Sequence, residues 1–379
     1  MKDTTFRLAA IPGDGVGPEV VAAARLVLDA AGERFGFATE WTEVRAGGNA
    51  IDAYGVAIRP EDVEVCRAAD ALLLGAVGGP RWDDPKAAVR PEQALFALRG
   101  GLGLFANLRP VTVHPVLVPA SPLRPDLLAG VDLLIVRELT GGIYFGERQE
   151  ATGEPGRRRA HDMLPYAEDE IRRVVRVAFE LARSRRGRLT SVDKANVLAT
   201  SRLWRTVVEE LRPEFPDVEV RHQLVDTCAM LLVKQPASFD VLVTENLFGD
   251  ILSDEASVLA GSLGMLPSAS LGERRTAHGT FGLYEPIHGS APDIAGQGVA
   301  NPIGTILSVA MLLRWSLGRE DAAGAIEGAV AAVLDDGLRT GDLATGGTIV
   351  GTTGMARAIA QRLAIPQPAR TDAPVPAQS

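Results

Sequence analysis

Short runs of leucine and β-branched side chains alternate along the chain with longer stretches in which apolar residues recur every three to four positions. Buried strands give the first pattern and amphipathic helices the second, so their alternation predicts an α/β fold built on a largely parallel sheet. Strands are expected at 8–11, 71–76, 132–136, 189–192, 218–225 and 240–243, and helices are expected to begin at Pro18, Pro165, Ser201, Asp226, Asn246, Pro302 and Asp321. Residues 146–159 (GERQEATGEPGRRR) are polar and glycine-rich and predict an exposed arm or hairpin. Residues 365–379 are proline-rich with no core pattern, which predicts a disordered tail. No internal repeat is visible.

Several predicted strands end on polar groups: Arg137 after Val136, Asp193 and Lys194 after Val192, Asp226 after Val225, Thr244 and Glu245 after Val243. Ligands of open α/β sheets bind beyond the carboxyl ends of strands, so these positions are candidates for chemistry. The text TENLFGDILSDEA (244–256) places Asp250 and Asp254 four apart at the start of a predicted helix. On one helix face such side chains sit about 5–6 Å apart, and two carboxylates so close suit a hard cation such as Mg²⁺ or Mn²⁺. For the spacing taken alone, a solvated acidic face is the more ordinary reading. Asp226 fits either a helix N-cap or a third carboxylate of the same site.

At 379 residues, 46% hydrophobic and 23% charged, the chain can bury a large core and divide into two domains. Its net charge of −9 argues against nucleic acid and anionic membrane as partners and favours small molecules. The four apolar residues before Pro12 are too few for a signal-peptide core, and two cysteines, Cys66 and Cys228, make no disulfide framework; a cytoplasmic location is expected. Of 39 basic residues only Lys2, Lys86, Lys194 and Lys234 are lysine. Lysine, unlike arginine, can give up its proton when desolvated, so Lys194 at a strand end is a candidate base.

Arg99, Arg109 and Arg137 flank the motifs LFANLRP and RELTGGIY, and three guanidinium forks in one pocket would suit a dicarboxylate. Tyr144 in the second motif fits a proton donor or a packed aromatic. The opening IPGDGVGPE follows a strand and enters a helix, but its spacing is not the dinucleotide fingerprint, which argues against a Rossmann domain and for a tight turn shaping a pocket wall. The long irregular block EPIHGSAPDIAG (285–296), running on to Asn301, reads as a functional loop. In it His288 would contact an adenine, and Asp293 would accept from ribose hydroxyls and repel a 2′-phosphate, favouring NAD.

Together with LGAVGGPRWD, VDKANVL and ANPIGTILS, these blocks resemble the isocitrate/isopropylmalate dehydrogenase family of decarboxylating β-hydroxyacid dehydrogenases over residues 8–360, and among them the leucine-biosynthesis branch. The resemblance implies a two-domain fold unlike Rossmann: 1–104 with 262–364 as a discontinuous NAD-binding domain, and 105–261, including the arm, as the dimerising metal and substrate domain. It implies NAD-dependent oxidative decarboxylation of (2R,3S)-3-isopropylmalate to 4-methyl-2-oxopentanoate by a homodimer with shared active sites. By resemblance Arg99, Arg109 and Arg137 bind the malate carboxylates. Asp250 and Asp254 hold Mg²⁺ or Mn²⁺ with Asp226 supplied across the dimer. Lys194 of the second subunit helps remove the C2 hydroxyl proton, and Tyr144 protonates the enol. NAD would contact Gly78, Gly79, Pro80, Arg81, Trp82 and Asp83 on one side, and Glu285, His288, Gly289, Ser290, Ala291, Asp293, Ile294 and Asn301 on the other. Glu92 and Leu95 match positions that meet the C3 substituent; Phe96 stands where a second leucine is usual, and Gly100 where a lysine is common.

Phe96 leaves another 3-alkyl or 3-aryl malate as an alternative substrate, because an apolar pocket separates substituents by only ~1–3 kcal/mol per methylene. The aspartates also fit a metal-dependent phosphoryl-transfer enzyme or hydrolase, or a catalytically silent metal-stabilised dimer. The chain has no Gly-x-x-x-x-Gly-Lys-Ser/Thr loop, which weighs against the first, and its Lys194 and Tyr144 weigh against the last.

Overall fold

The computed structural model describes residues 4–84, 86–344 and 346–364, so the predicted disordered tail lies outside the described residues. The chain begins with β1 (Thr4–Gly13), α1 (Gly17–Phe35), β2 (Phe37–Glu43), α2 (Gly48–Tyr54), α3 (Pro60–Ala68), β3 (Ala71–Ala76), α4 (Gln93–Gly101), β4 (Ala106–Thr112) and α5 (Pro125–Leu128). There follow β5 (Asp132–Glu138), the arm strands β6 (Arg148–Thr152) and β7 (Arg159–Asp162), α6 (Glu168–Arg183), β8 (Arg188–Asp193), α7 (Ala199–Leu211), β9 (Glu219–Leu224), α8 (Val225–Lys234), β10 (Val241–Thr244) and α9 (Asn246–Ser257). The remaining main elements are β11 (Pro267–Arg275), β12 (Thr280–Pro286), α10 (Ile303–Trp315), α11 (Glu320–Asp335) and α12 (Thr352–Ala364).

Ten strands form one sheet in the order β2-β1-β3-β12-β11-β4-β5-β10-β8-β9. The two wings are parallel, and the centre, where β12, β11, β4 and β5 meet, is antiparallel. The sheet is therefore mixed and largely parallel, as the alternation of patterns predicts. All six residues of β3, ALLLGA, are buried, the expected state of a parallel strand covered on both faces. On α6, Ile171, Val174, Val175, Ala178, Phe179 and Ala182 repeat at helical spacing and bury one stripe in the main core. A second core under the other face joins Leu72, Leu74, Leu98 and Phe281, and seats α4 beside the ends of β3 and β12.

The helix expected from Pro165 starts at Glu168, where Glu170 turns back to accept from the Ala167 N–H at 2.8 Å. Residues 163–167 belong to no helix or strand, and among them Tyr166 reaches Glu138 and Asn246. The arm is a fully exposed hairpin that runs to Asp162, three residues beyond the predicted limit. Strands β2, β4, β11 and β12 were not marked by the pattern: β4 carries Asn107, Arg109 and Pro110, and β11 has small and charged residues in place of a leucine-rich run.

Candidate active site

A cavity of about 300 Å³ opens at the carboxyl ends of β3 and β5, walled by α4, α9 and residues 285–289. Arg99, Arg109, Arg137, Tyr144 and Asp250 all line it, together with Glu92, Leu95, Phe96, Glu285, His288 and Gly289. The packing of α9 against β5 decides where Arg137 goes. A Cβ on Gly249 would lie 2.6 Å from Arg137 Cγ, so the bare backbone of α9 at this point lets the arginine stem pass. Beyond it, Nε and Nη2 donate to Asn246 Oδ1 at 3.0 and 2.9 Å, and Nη1 donates to Asp250 Oδ1 in a short bond. Asn246 is itself fixed by donating from Nδ2 to Gly141 O at 3.0 Å and from its backbone N–H to the Tyr166 hydroxyl at 3.0 Å. Tyr166 in turn donates to the fully buried Glu138, whose carboxylate also accepts from the backbone N–H of Thr140 and Gly141. The guanidinium is thus aimed by a chain of bonds made before any ligand arrives.

Arg109 is held in the same way from β4: Nε donates to Asn107 at 2.8 Å, and Nη1 to Ser253 at 2.6 Å and Asp254 at 3.3 Å. Burial, and after it the neighbouring arginine, brings Arg137 down to about 10, and burial lowers Arg109 as well; such groups gain from receiving anions. Arg99 pairs with Glu285 at 2.8 Å and retains a buried Nε with no partner, a donor left over for a ligand. Tyr144 donates to Asp250 Oδ2 at 3.0 Å; burial, and then Asp250, push its phenol up to about 12, so it carries its proton at neutral pH. Asp250 lines the cavity and Asp254, one turn on, stands outside the lining but meets Arg109; their side chains are 37% and 66% exposed, leaving oxygen lone pairs free beyond the arginine contacts.

The predicted cofactor positions fall on two loops that meet across the opening turn. The buried Asp14 accepts from the backbone N–H of Gly48, Asn49 and Gly78 at 2.7, 2.8 and 2.8 Å, tying the loop at 78–83 to the turn. Gly78 and Gly79 take φ of 104° and 156°; Pro80, Arg81 and Trp82 make one helical turn in which Arg81 and Trp82 reach Asp52, and Asp83 follows exposed. On the far side Val16 N–H donates to Ser290 O at 2.8 Å, and a Cβ on Gly15 would lie 1.9 Å from that oxygen. Ala291 is the one described non-glycine residue at positive φ, 39°, and with Ile294 it packs on Val16 and Val20. Burial lowers His288, and its Nε2 is buried without a partner. Asn301 donates to Asp342 at 3.0 Å and accepts from the Ile303 N–H at 3.0 Å where α10 begins, while Asp293 keeps its carboxylate at an exposed turn.

Lys194 and Asp226 are not among the lining residues. They pair with each other at 2.9 Å, and that bond holds Asp226 below its usual range. Among the described residues no group of three His, Cys, Asp or Glu side chains is close enough to hold a metal within one chain. Sequence reading missed Asp14, Asn107, Glu138, Tyr166 and Asn246. Asp14, Tyr166 and Asn246 act through partners distant in sequence, whereas Asn107 meets Arg109 two residues on, and the place of Asn246 at a helix start within the TENLFGD text was a usable signal.

The model of the family described as isocitrate/isopropylmalate dehydrogenase matches residues 7–359. The 3-isopropylmalate dehydrogenase of Anaeromyxobacter dehalogenans is 58% identical, covering 94% of this chain and 99% of that one. That of Pseudomonas fluorescens is 56% identical, covering 93% and 97%. Among solved structures, an isocitrate dehydrogenase from Methylococcus capsulatus superposes with a TM-score of 0.82 at 36% identity, over 94% of this chain and 99% of that one. With this sheet, this cavity and matches over nearly its whole length, the chain belongs to the isocitrate/isopropylmalate dehydrogenase family.

Proposed function

We propose that this chain catalyses the NAD- and Mg²⁺- or Mn²⁺-dependent oxidative decarboxylation of (2R,3S)-3-isopropylmalate to 4-methyl-2-oxopentanoate; its relatives in Anaeromyxobacter and Pseudomonas are named 3-isopropylmalate dehydrogenase. The observation that carries the reading is the convergence of Arg99, Arg109, Arg137, Tyr144 and Asp250 on a small cavity with Leu95 and Phe96 in its wall. Three guanidinium groups match the two carboxylates of a malate, and the apolar wall offers no donor for a third carboxylate, which favours an alkyl substituent over the substituent of isocitrate.

The donors fit a hard divalent cation: Asp250 and Asp254 supply anionic oxygens on one helix face, and the partner subunit's Asp226 would add the third. When bound, the cation acidifies the C2 hydroxyl and stabilises charge on oxygen as carbon dioxide leaves, and the nicotinamide accepts the hydride. Arg137 and Arg109 orient the carboxylates so that C2 faces the nucleotide loops. The partner subunit's Lys194, as the neutral amine, takes the hydroxyl proton, and Tyr144 delivers its own phenol proton to carbon. The buried, unpartnered Nε2 of His288 supports NAD between residues 78–83 and 288–301, the first of these loops being tied to the opening turn by Asp14.

A homodimer follows from the same reading, since Lys194 and Asp226 stand outside their own chain's cavity. Exposed Met230 and Val233 on α8, and Ile251 on α9 with Val258 just beyond, form an apolar surface for the second copy. Residues 1–104 with 262–364 would then move as one domain and 105–261 as the other. The two buried free cysteines suit a reducing cytoplasm. The test is absorbance at 340 nm with NAD, Mg²⁺ and a panel of 3-substituted malates: fastest NADH formation with the isopropyl compound supports the proposal, and none with any member sinks it.

A further inference from the structure

Two aromatic rings meet where α4 approaches the loop after β5, and one of them, Phe96, lines the cavity. Phe96 projects from α4, and Phe145 follows Tyr144 in the loop after β5; their centroids are 5.5 Å apart with planes at 79°, an edge-to-face pair. Both rings are partly open to water, 41% and 39% exposed. Leu95 packs on the core that contains Leu98 and Leu102, whereas Phe96 stands exposed outside the core and its ring meets that of Phe145. Phe145 has a fixed base. Its N–H and that of Gly146 both donate to Gly142 O, at 3.1 and 3.0 Å. A Cβ on Gly146 would lie 2.0 Å from Met163 O, which pins this turn to the root of the arm.

Resting on the reading of the cavity as a 3-substituted-malate site, we propose that Phe145 is the positioning residue for C3-substituent selection. It locks the Phe96 ring edge-to-face, and the locked ring, beside Leu95, forms the wall that the substituent meets. A free phenylalanine at position 96 would swing between rotamers and admit substituents of several sizes. A ring held at one angle presents one shape. Because Phe145 adjoins Tyr144 and Phe96 lies one helical turn from Arg99, a substituent that fits this wall also settles between the proton donor and a carboxylate-binding arginine. Selection is thereby tied to productive geometry. Both rings lack hydrogen-bonding groups, so the wall favours apolar substituents.

The test compares kcat/KM for 3-isopropylmalate with that for a bulkier malate such as the 3-benzyl compound, in wild type, Phe145→Ala, Phe145→Tyr, Phe96→Leu and Phe96→Leu/Phe145→Ala. An aromatic pair of this kind is worth about a twofold to tenfold factor. Phe145→Ala is expected to shift the isopropyl-to-benzyl ratio by that much through the KM of the malate, with the KM for NAD unchanged. Phe145→Tyr should restore the ratio, and in the Phe96→Leu background Phe145→Ala should leave it unmoved. A ratio that stays within 1.5-fold in an active Phe145→Ala variant, or an equal shift in the Phe96→Leu background, overturns the inference, as does a uniform loss on both substrates. If wild type oxidises no 3-substituted malate, the proposed function itself fails and takes this inference with it.

Discussion

Gly249 is the smallest residue on which the site depends, and Gly249→Ala separates catalysis from stability. The added methyl would sit 2.6 Å from Cγ and 2.8 Å from Cβ of Arg137. A surface arginine would swing aside, but this one is 5% exposed and bound at its head by Asn246 and Asp250. Either its stem or α9 must give. Overpacking of this order costs about 1–3 kcal/mol. Alanine recovers about 1 kcal/mol over glycine inside a helix, so net destabilisation should stay within about 2 kcal/mol. The guanidinium, in contrast, is displaced from its aim, and a misplacement near 1 Å is worth about 100-fold in rate. In urea denaturation the variant should unfold cooperatively close to wild type, while the NADH assay should show kcat/KM down about 100-fold. A variant within threefold of wild-type kcat/KM would refute the idea that the α9 backbone positions Arg137.

Lys194→Arg should keep the dimer on size-exclusion chromatography and lose at least about 1,000-fold in kcat, because arginine cannot shed its proton at working pH; near-normal turnover removes lysine from the mechanism. Chelation of the divalent cation should abolish NADH formation, with recovery on adding Mg²⁺ or Mn²⁺, and Asp254→Asn should raise the cation concentration needed for half recovery at least about tenfold. Full activity after exhaustive chelation contradicts the metal site. Burial pushes the Cys66 thiol up to about 12. A folded value above the unfolded one means its contribution is fully present below pH 9 and falls away as pH rises from 9 towards 12. Between pH 8.5 and 10 wild type should therefore lose about 1 kcal/mol relative to Cys66→Ala in denaturant titrations. Parallel pH curves for the two proteins would show that the thiol is not desolvated.

Most of what could be read in advance lay in local patterns. Runs such as Ala71-Leu-Leu-Leu74 and the helical stripe of α6 announce themselves because burial writes its period into neighbouring residues. Strands β4 and β11 did not, since their buried positions include Asn107, Arg109, Ser268 and Ser270, polar residues satisfied inside the fold: Asn107 Nδ2 donates to Ser270 at 3.2 Å and Ser268 to Glu285 O at 3.0 Å. The arginines and Tyr144 were legible as chemistry standing beside strand ends, and the cavity gathers them. What aims them was not. The bonds that join Glu138 to Tyr166, Tyr166 to Asn246 and Asn246 to Arg137 span 28, 80 and 109 residues, and no spacing rule in one chain encodes those meetings. Asp14 was hidden differently: the turn IPGDGVG reads as a run of permissive glycines, while the carboxylate among them accepts three backbone N–H bonds. The pair of Phe96 with Phe145 joins residues 49 apart and has no local signature at all.

The central claim, hydride removal from C2 followed by loss of carbon dioxide, is most directly tested with (2R,3S)-3-isopropylmalate deuterated at C2. Purified protein with NAD and Mg²⁺ should yield NADH carrying the deuterium, 4-methyl-2-oxopentanoate and carbon dioxide in equal amounts by mass spectrometry. Unlabelled NADH, or an oxidised product that keeps both carboxylates, would contradict the account.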